Sequence, residues 1–270
     1  DIFDGFNDGS TQIRQVSRDR VYPYYFESPL VRLMTDHGYE DTFREGSVLS
    51  GPGCAPRKSI WVYRYYEEMS ESLGTGRRRT LPEIAAGLRE LILSVREAVC
   101  KDTSEHEAFR VHLVAHSMGG LVARCYLQNL CVNGTGNARE DGRLELTSRP
   151  TTADGYLDDR VHMVDKLFTY GTPHNGIDLI GANVPDLGWF DAWHTSNFNR
   201  EEMHRYLGLP GRFRKGSRVD TLAGAFPPER VFCFIGSNHR DYDIAVSRRL
   251  AGPSSDGLVM ISNAAVQGSP

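Results

Sequence analysis

Apolar and polar positions follow two periods along the chain, and the switches between them mark out its elements. Over Phe26–Gly38 (FESPLVRLMTDHG) apolar residues recur at helical spacing and a glycine closes the run, which predicts a helix with Gly38 as its C-cap. Ser59–Tyr66 (SIWVYRYY) is rich in β-branched and aromatic residues and predicts a strand. Thr80 followed three residues later by Glu83 forms a capping box. Ile84, Leu88, Leu91, Ile92 and Val95 then line one face of a helix running to Cys100. Phe109–Ala115 (FRVHLVA) predicts a buried strand, Met118–Val132 a helix, Val164–Gly171 (VDKLFTYG) a strand, and Arg230–Ile235 (RVFCFI) another. Alternation of strand and helix on this scale implies an α/β domain, a mostly parallel sheet with helices on both faces.

Between these elements, Asn133–Asp159 is polar and glycine-rich and suits a surface excursion. Residues 175–216 carry Trp189, Phe190, Trp193 and Phe198, a pattern that fits either a lid or cap insertion or helices packed on the sheet. The opening DIFDGFNDGSTQIRQ has neither the apolar core of a signal peptide nor strand alternation, and the closing AAVQGSP stops as if a last strand were in progress. With Asp1 first, the expectation is a single α/β domain over 1–270, truncated at both ends.

Composition narrows the class of partner. Hydrophobic residues at 40% and charged residues at 24% exclude a disordered chain, and no apolar run approaches a membrane-spanning helix. Thirty-one Lys and Arg against thirty-five Asp and Glu leave a formal charge of −4, without the basic excess of a nucleic-acid binder. Five cysteines (Cys54, Cys100, Cys125, Cys131 and Cys233) are odd in number and include no CxxC pair, so neither a complete disulfide framework nor a zinc-ribbon spacing is present. The Arg77–Arg79 run suits an anion contact or a solvated cluster, and Asn133-Gly134-Thr135 a loop turn or a glycosylation sequon.

The chemistry concentrates in Val111–Val122 (VHLVAHSMGGLV), where a strand runs into a tight turn at Ser117 and straight out into a helix. Small residues at Ala115 and Gly119 let strand and helix backbones approach, so the Ser117 hydroxyl is lifted above the sheet edge at a helix N-terminus. The Met118 N–H is then placed to receive an oxyanion.

The AHSMGGLVAR stretch resembles the α/β-hydrolase lipases and esterases. Two later segments extend the resemblance in order: Gly171–Gly176 (GTPHNG) is similar to the segment after the next strand in bacterial-type triacylglycerol lipases, and Ser255–Val259 (SDGLV) to their acid-bearing segment. The resemblance implies an α/β-hydrolase fold, Ser117 as nucleophile, Asp256 as the triad acid, and His116 and His174 at the substrate pocket. It further implies a small-molecule or lipid ester as substrate, transient contact with a lipid interface, and no cofactor or catalytic metal. Asp256-Gly257 also suits a plain turn, with Asp241 and Asp243 the next candidates for the acid.

One position departs from the pattern. The family order is serine, acid, histidine, yet all nine histidines precede Asp256. The expectation is that the base lies beyond Pro270 and that the strand carrying the second oxyanion donor precedes Asp1. A serine without its base is a weak nucleophile, so residues 1–270 alone are expected to turn over little substrate. His239 paired with another acid is the weaker alternative. Acyl transfer by the same nucleophile and a non-catalytic binding protein on this fold are the competing functions.

Overall fold

The computed structural model describes residues 15–17, 20–22, 27–42, 51–63, 65, 79–128, 163–179, 182–183, 195–236 and 259–270. The chain divides into two compact units, one formed by Asp1–Arg79 with Glu90–Phe109, the other by Thr80–Arg89 with Arg110–Pro270.

In the first unit β1 (Gln15–Ser17) and β2 (Arg20–Tyr22) pair antiparallel, with Gln15 opposite Tyr22. Three-residue strands are too short to carry a period-two signal, and so this hairpin was not legible in the sequence. Helix α1 (Glu27–His37) ends as its glycine predicts. Gly38 sits at φ 68° and its N–H bonds to Met34 O at 3.2 Å, the 5→1 bond of an αL cap, while the Tyr39 N–H bonds to Leu33 O at 3.1 Å. β3 (Glu40–Asp41) then runs parallel to β4 (Ser59–Ile60). Of the strand expected over Ser59–Tyr66, only Ser59 and Ile60 pair with β3 among the described residues; Trp61, Val62 and Tyr63 join no ladder, and Arg64 and Tyr66 lie outside the described residues. Composition favours a strand, but a ladder needs a partner.

The capping box forms as predicted at the start of α2 (Leu81–Val99): the Thr80 N–H donates to Glu83 Oε2 at 2.7 Å and the Glu83 N–H to Thr80 Oγ1 at 3.4 Å. Ile84, Leu88, Ile92 and Val95 are buried at the spacing the sequence gives them, while Leu91 at the rim of that face is half-buried.

The second unit holds β5 (Val111–His116), α3 (Met118–Gln128), β6 (Val164–Tyr170), a short antiparallel pair β7 (Asp178–Leu179) and β8 (Ala182–Asn183), α4 (Arg200–Tyr206) and β9 (Val231–Phe234). β5, β6 and β9 form a parallel sheet in that order, and α3 packs on β5 and β6. These elements make the unit α/β.

Leu113, Ala115, Leu167 and Thr169 share one face of the sheet by register, and Leu167 and Thr169 are buried there. On the other face Val114, Phe168 and Phe232 form one row and His116, Tyr170 and Phe234 the next; the ring pairs Phe168–Phe232 and Tyr170–Phe234 stack at 5.2 and 4.9 Å. Val114 is 58% exposed and its face-mates His112 and His116 are exposed as well, so the strand expected to be buried is open on one face. An apolar residue type cannot report whether a second layer covers it.

At the chain's end, AAVQGSP continues no strand. A 3-10 turn over Ile261–Asn263 is followed by turns, and the Gln267 N–H bonds to Asp220 O at 2.9 Å instead of entering a ladder. Among the described residues no helix is long and apolar enough to cross a membrane.

Candidate active site

Ser117 occupies the single residue between β5 and α3, at φ 51°. A left-handed conformation at a residue with a Cβ costs about 1–2 kcal/mol and persists only where the surroundings enforce it. Here bonds hold both sides of the residue. The Ser117 N–H donates to Tyr170 O at 2.9 Å, and its carbonyl accepts from Thr172 Oγ1 at 2.9 Å and from the Gly120 N–H at 3.1 Å. Ser117 is half-buried, at the C-terminal edge of a parallel sheet, where such sheets carry their ligands. Directly behind it, Met118 opens α3 with an N–H that the first turn of a helix leaves without an intrahelical acceptor, at the positive end of the helix dipole. The elbow predicted from Ala115–Gly120 is thus present in geometry. It can present a hydroxyl to a substrate and receive negative charge at a backbone N–H.

Glycine at 120 is a steric requirement. A Cβ there would lie under 3.0 Å from Oγ1, Cγ2 and Cβ of Thr172, a stiff side chain that cannot swing aside. The helix therefore approaches the loop after β6 closely enough for the Thr172 hydroxyl to reach the Ser117 carbonyl.

That loop, Gly171–Gly176, is a structural hub. Gly171 at φ 56° donates its N–H to Phe234 O at 2.8 Å, and Gly176 at φ 79° closes a turn onto Pro173 O at 2.9 Å. Asn175 donates through Nδ2 to Asn263 Oδ1 at 3.0 Å and accepts the Val219 N–H at 2.9 Å on Oδ1. Asn263 Nδ2 in turn donates to Asp178 Oδ2 at 2.8 Å, and Arg200 bridges Asp178 Oδ2 at 2.5 Å and Asn175 O at 2.8 Å.

Arg124 is fully buried on α3 and spends its guanidinium on Gln128 Oε1, His174 O, Val219 O and Thr221 O, at 2.8, 2.8, 2.8 and 2.9 Å. Burial lowers its pKa to about 10, still far above neutral pH, so the clamp remains charged. The fragment LVARCYL could have flagged a charge on an otherwise apolar helix; a single sequence carries no signal for Asn175, Asn263 or Thr172 as partners.

His174, expected at the substrate pocket, is in the core instead: its side chain is wholly enclosed, with Nε2 2.9 Å from Thr169 Oγ1. Burial, and then the neighbouring Arg124 charge, push its pKa well below 6.5. Nδ1 has no partner among the described residues, which favours the tautomer with the proton on Nε2, since a bare buried lone pair costs less than a bare buried N–H. A consequence follows for stability against pH. Below pH 6.5 the unfolded chain takes up a proton that folded His174 refuses. The stability is therefore full above that pH and falls by about 1.4 kcal/mol per unit as the solution is acidified. Urea unfolding at pH 7.5 and pH 5 should show a shallower loss for His174→Gln than for the wild type; equal slopes would contradict the assignment.

His116 is exposed on the sheet face that carries Val114, next to Ser117 in sequence but on the strand side of the turn. Asp256, with Asp241, Asp243 and His239, lies outside the described residues, as do 180–181 and 184–194 of the insertion. The described part of that insertion packs against α3: Asn197 Nδ2 lies 3.6 Å from Met118 Sδ, and the Cys125 thiol bonds Tyr206 O at 3.2 Å. Cys125 and Cys100 are buried free thiols. Among the described residues no cluster of three His, Cys, Asp or Glu could hold a metal ion. No protein-family model, curated protein or solved structure matches this chain.

Proposed function

We propose that this protein is a serine hydrolase of the α/β-hydrolase type that cleaves carboxylic esters of small or lipid-like substrates through an acyl-enzyme on Ser117. The observation that carries the reading is the left-handed Ser117 at φ 51° between a parallel strand and a helix N-terminus. A serine held at that cost in such a place is one whose hydroxyl is used. The hydroxyl attacks the ester carbonyl while an imidazole, oriented by Asp256, takes its proton. The tetrahedral oxyanion is received by the Met118 N–H, the alcohol departs with the imidazole's proton, and water then releases the acid from Ser117 by the same steps. A preorganised donor of this kind contributes about 3–4 kcal/mol to lowering the barrier.

The test is covalent labelling of the full-length protein with a fluorophosphonate, followed by trypsin. Cleavage after Arg110 and Arg124 releases residues 111–124, in which Ser117 is the sole serine. The expected result is the phosphonate mass on that peptide; a label confined to other peptides, or none, would overturn the reading.

A further inference from the structure

We propose that Thr172 is a positioning residue for the oxyanion donor, acting through the Ser117–Met118 peptide; this rests on the reading of Ser117 as the nucleophile. Thr172 is 1% exposed and seated in the hollow that Gly120 leaves, so its β-branched side chain is held in one orientation. From there its hydroxyl donates to the Ser117 carbonyl at 2.9 Å. That carbonyl and the Met118 N–H are the two ends of one planar, trans peptide unit, and they point in opposite directions. Fixing the oxygen therefore fixes the direction of the N–H. The bond acts a second way as well: a hydrogen bond accepted at the carbonyl polarises the amide and makes its N–H a stronger donor at the other end.

The Gly120 N–H also reaches the Ser117 carbonyl, at 3.1 Å, but it belongs to the same helix turn and moves with it. Thr172 supplies the restraint from outside the helix, from the loop that follows β6. Gly120 and Thr172 thus work as a pair: the missing Cβ admits the threonine, and the threonine aims the peptide. Thr172 touches neither substrate nor reacting atoms in this arrangement; its effect is on the transition state, where the oxyanion exists, and not on substrate binding.

The experiment uses the full-length protein and a short p-nitrophenyl ester, with affinity for a trifluoromethyl ketone as a second readout because its tetrahedral adduct places an oxyanion on the same donor. Thr172→Val keeps shape and loses the hydroxyl; Thr172→Ala also loses it without adding a methyl; Thr172→Ser keeps it. The two variants without the hydroxyl should lose about 10- to 100-fold in kcat, less than the 10²- to 10³-fold of deleting a donor outright. Ketone affinity should fall in parallel and KM should stay unchanged. Thr172→Ser should remain near wild type. As a matched control, Thr42→Val removes a hydroxyl that donates to Ile60 O at 2.8 Å in the other unit and should leave kcat unchanged. Wild-type kcat in Thr172→Val or Thr172→Ala, or an equal loss in Thr172→Ser, overturns the proposal. If Ser117→Ala retains turnover, the underlying reading fails instead.

Discussion

Replacing Ser117 with alanine should abolish ester turnover in the full-length protein, by about 10³- to 10⁶-fold in kcat, and leave the fold in place. The size follows from the mechanism: without the hydroxyl no acyl-enzyme forms, and only the oxyanion donor and substrate binding remain to accelerate attack by water. The stability of a second variant separates a functional serine from a structural one. At φ 51° alanine inherits the left-handed cost, whereas glycine is free of it. Ser117→Gly should be as inactive as Ser117→Ala yet more stable by about 0.5–1 kcal/mol, the relief of about 1–2 kcal/mol being partly offset by glycine's larger unfolded-state entropy. Stability and turnover moving in opposite directions is the signature of strain kept for function. Urea unfolding and p-nitrophenyl ester hydrolysis on the three proteins decide it. Retained turnover in Ser117→Ala, or a glycine variant less stable than the alanine one, would contradict the expectation.

Arg124→Leu should cost about 3–5 kcal/mol of stability, enough to leave a marginal domain largely unfolded. The guanidinium is fully buried and its four acceptors lie on α3, on the loop after β6 and on residues 219–221. Removing it leaves His174 O and Val219 O enclosed without a donor, at about 1–3 kcal/mol each. Thr221 O suffers less, since Gln128 Nε2 still donates to it at 2.9 Å. Desolvation of the charge opposes the clamp and is its largest electrostatic cost; the attraction of Asp220 nearby works the other way. The four bonds decide the balance, because the fold brings their acceptors to one planar fork. Lysine carries the same charge as a point and cannot serve acceptors spread around that fork, so Arg124→Lys should lose most of what leucine loses. A loss below 1 kcal/mol in the leucine variant would show that the carbonyls find other partners.

What the sequence could determine is what local periodicity and short motifs encode. The Thr80–Glu83 cap, the Gly38 terminus, the apolar face of Leu81–Val99 and the strand-turn-helix at Ser117 each depend on residues within one or two turns of one another, and each is present. The tertiary structure decided the rest, for two physical reasons. Strand length depends on a partner, so within Ser59–Tyr63 only Ser59 and Ile60 pair, and the exposure of Val114, apolar between His112 and His116 on the open face of β5, depends on whether a second layer covers it. Polar contacts among buried groups join distant positions: Thr172 reaches Ser117 across 55 residues, Arg124 reaches Thr221 across 97, and Asn175 reaches Asn263 across 88. His174 shows the difference most plainly. Its type and motif pointed to a pocket, but burial and the charge of Arg124, fifty residues away, hold it neutral in the core, because the energy of an ionisable group depends on its surroundings and not on its neighbours in the chain.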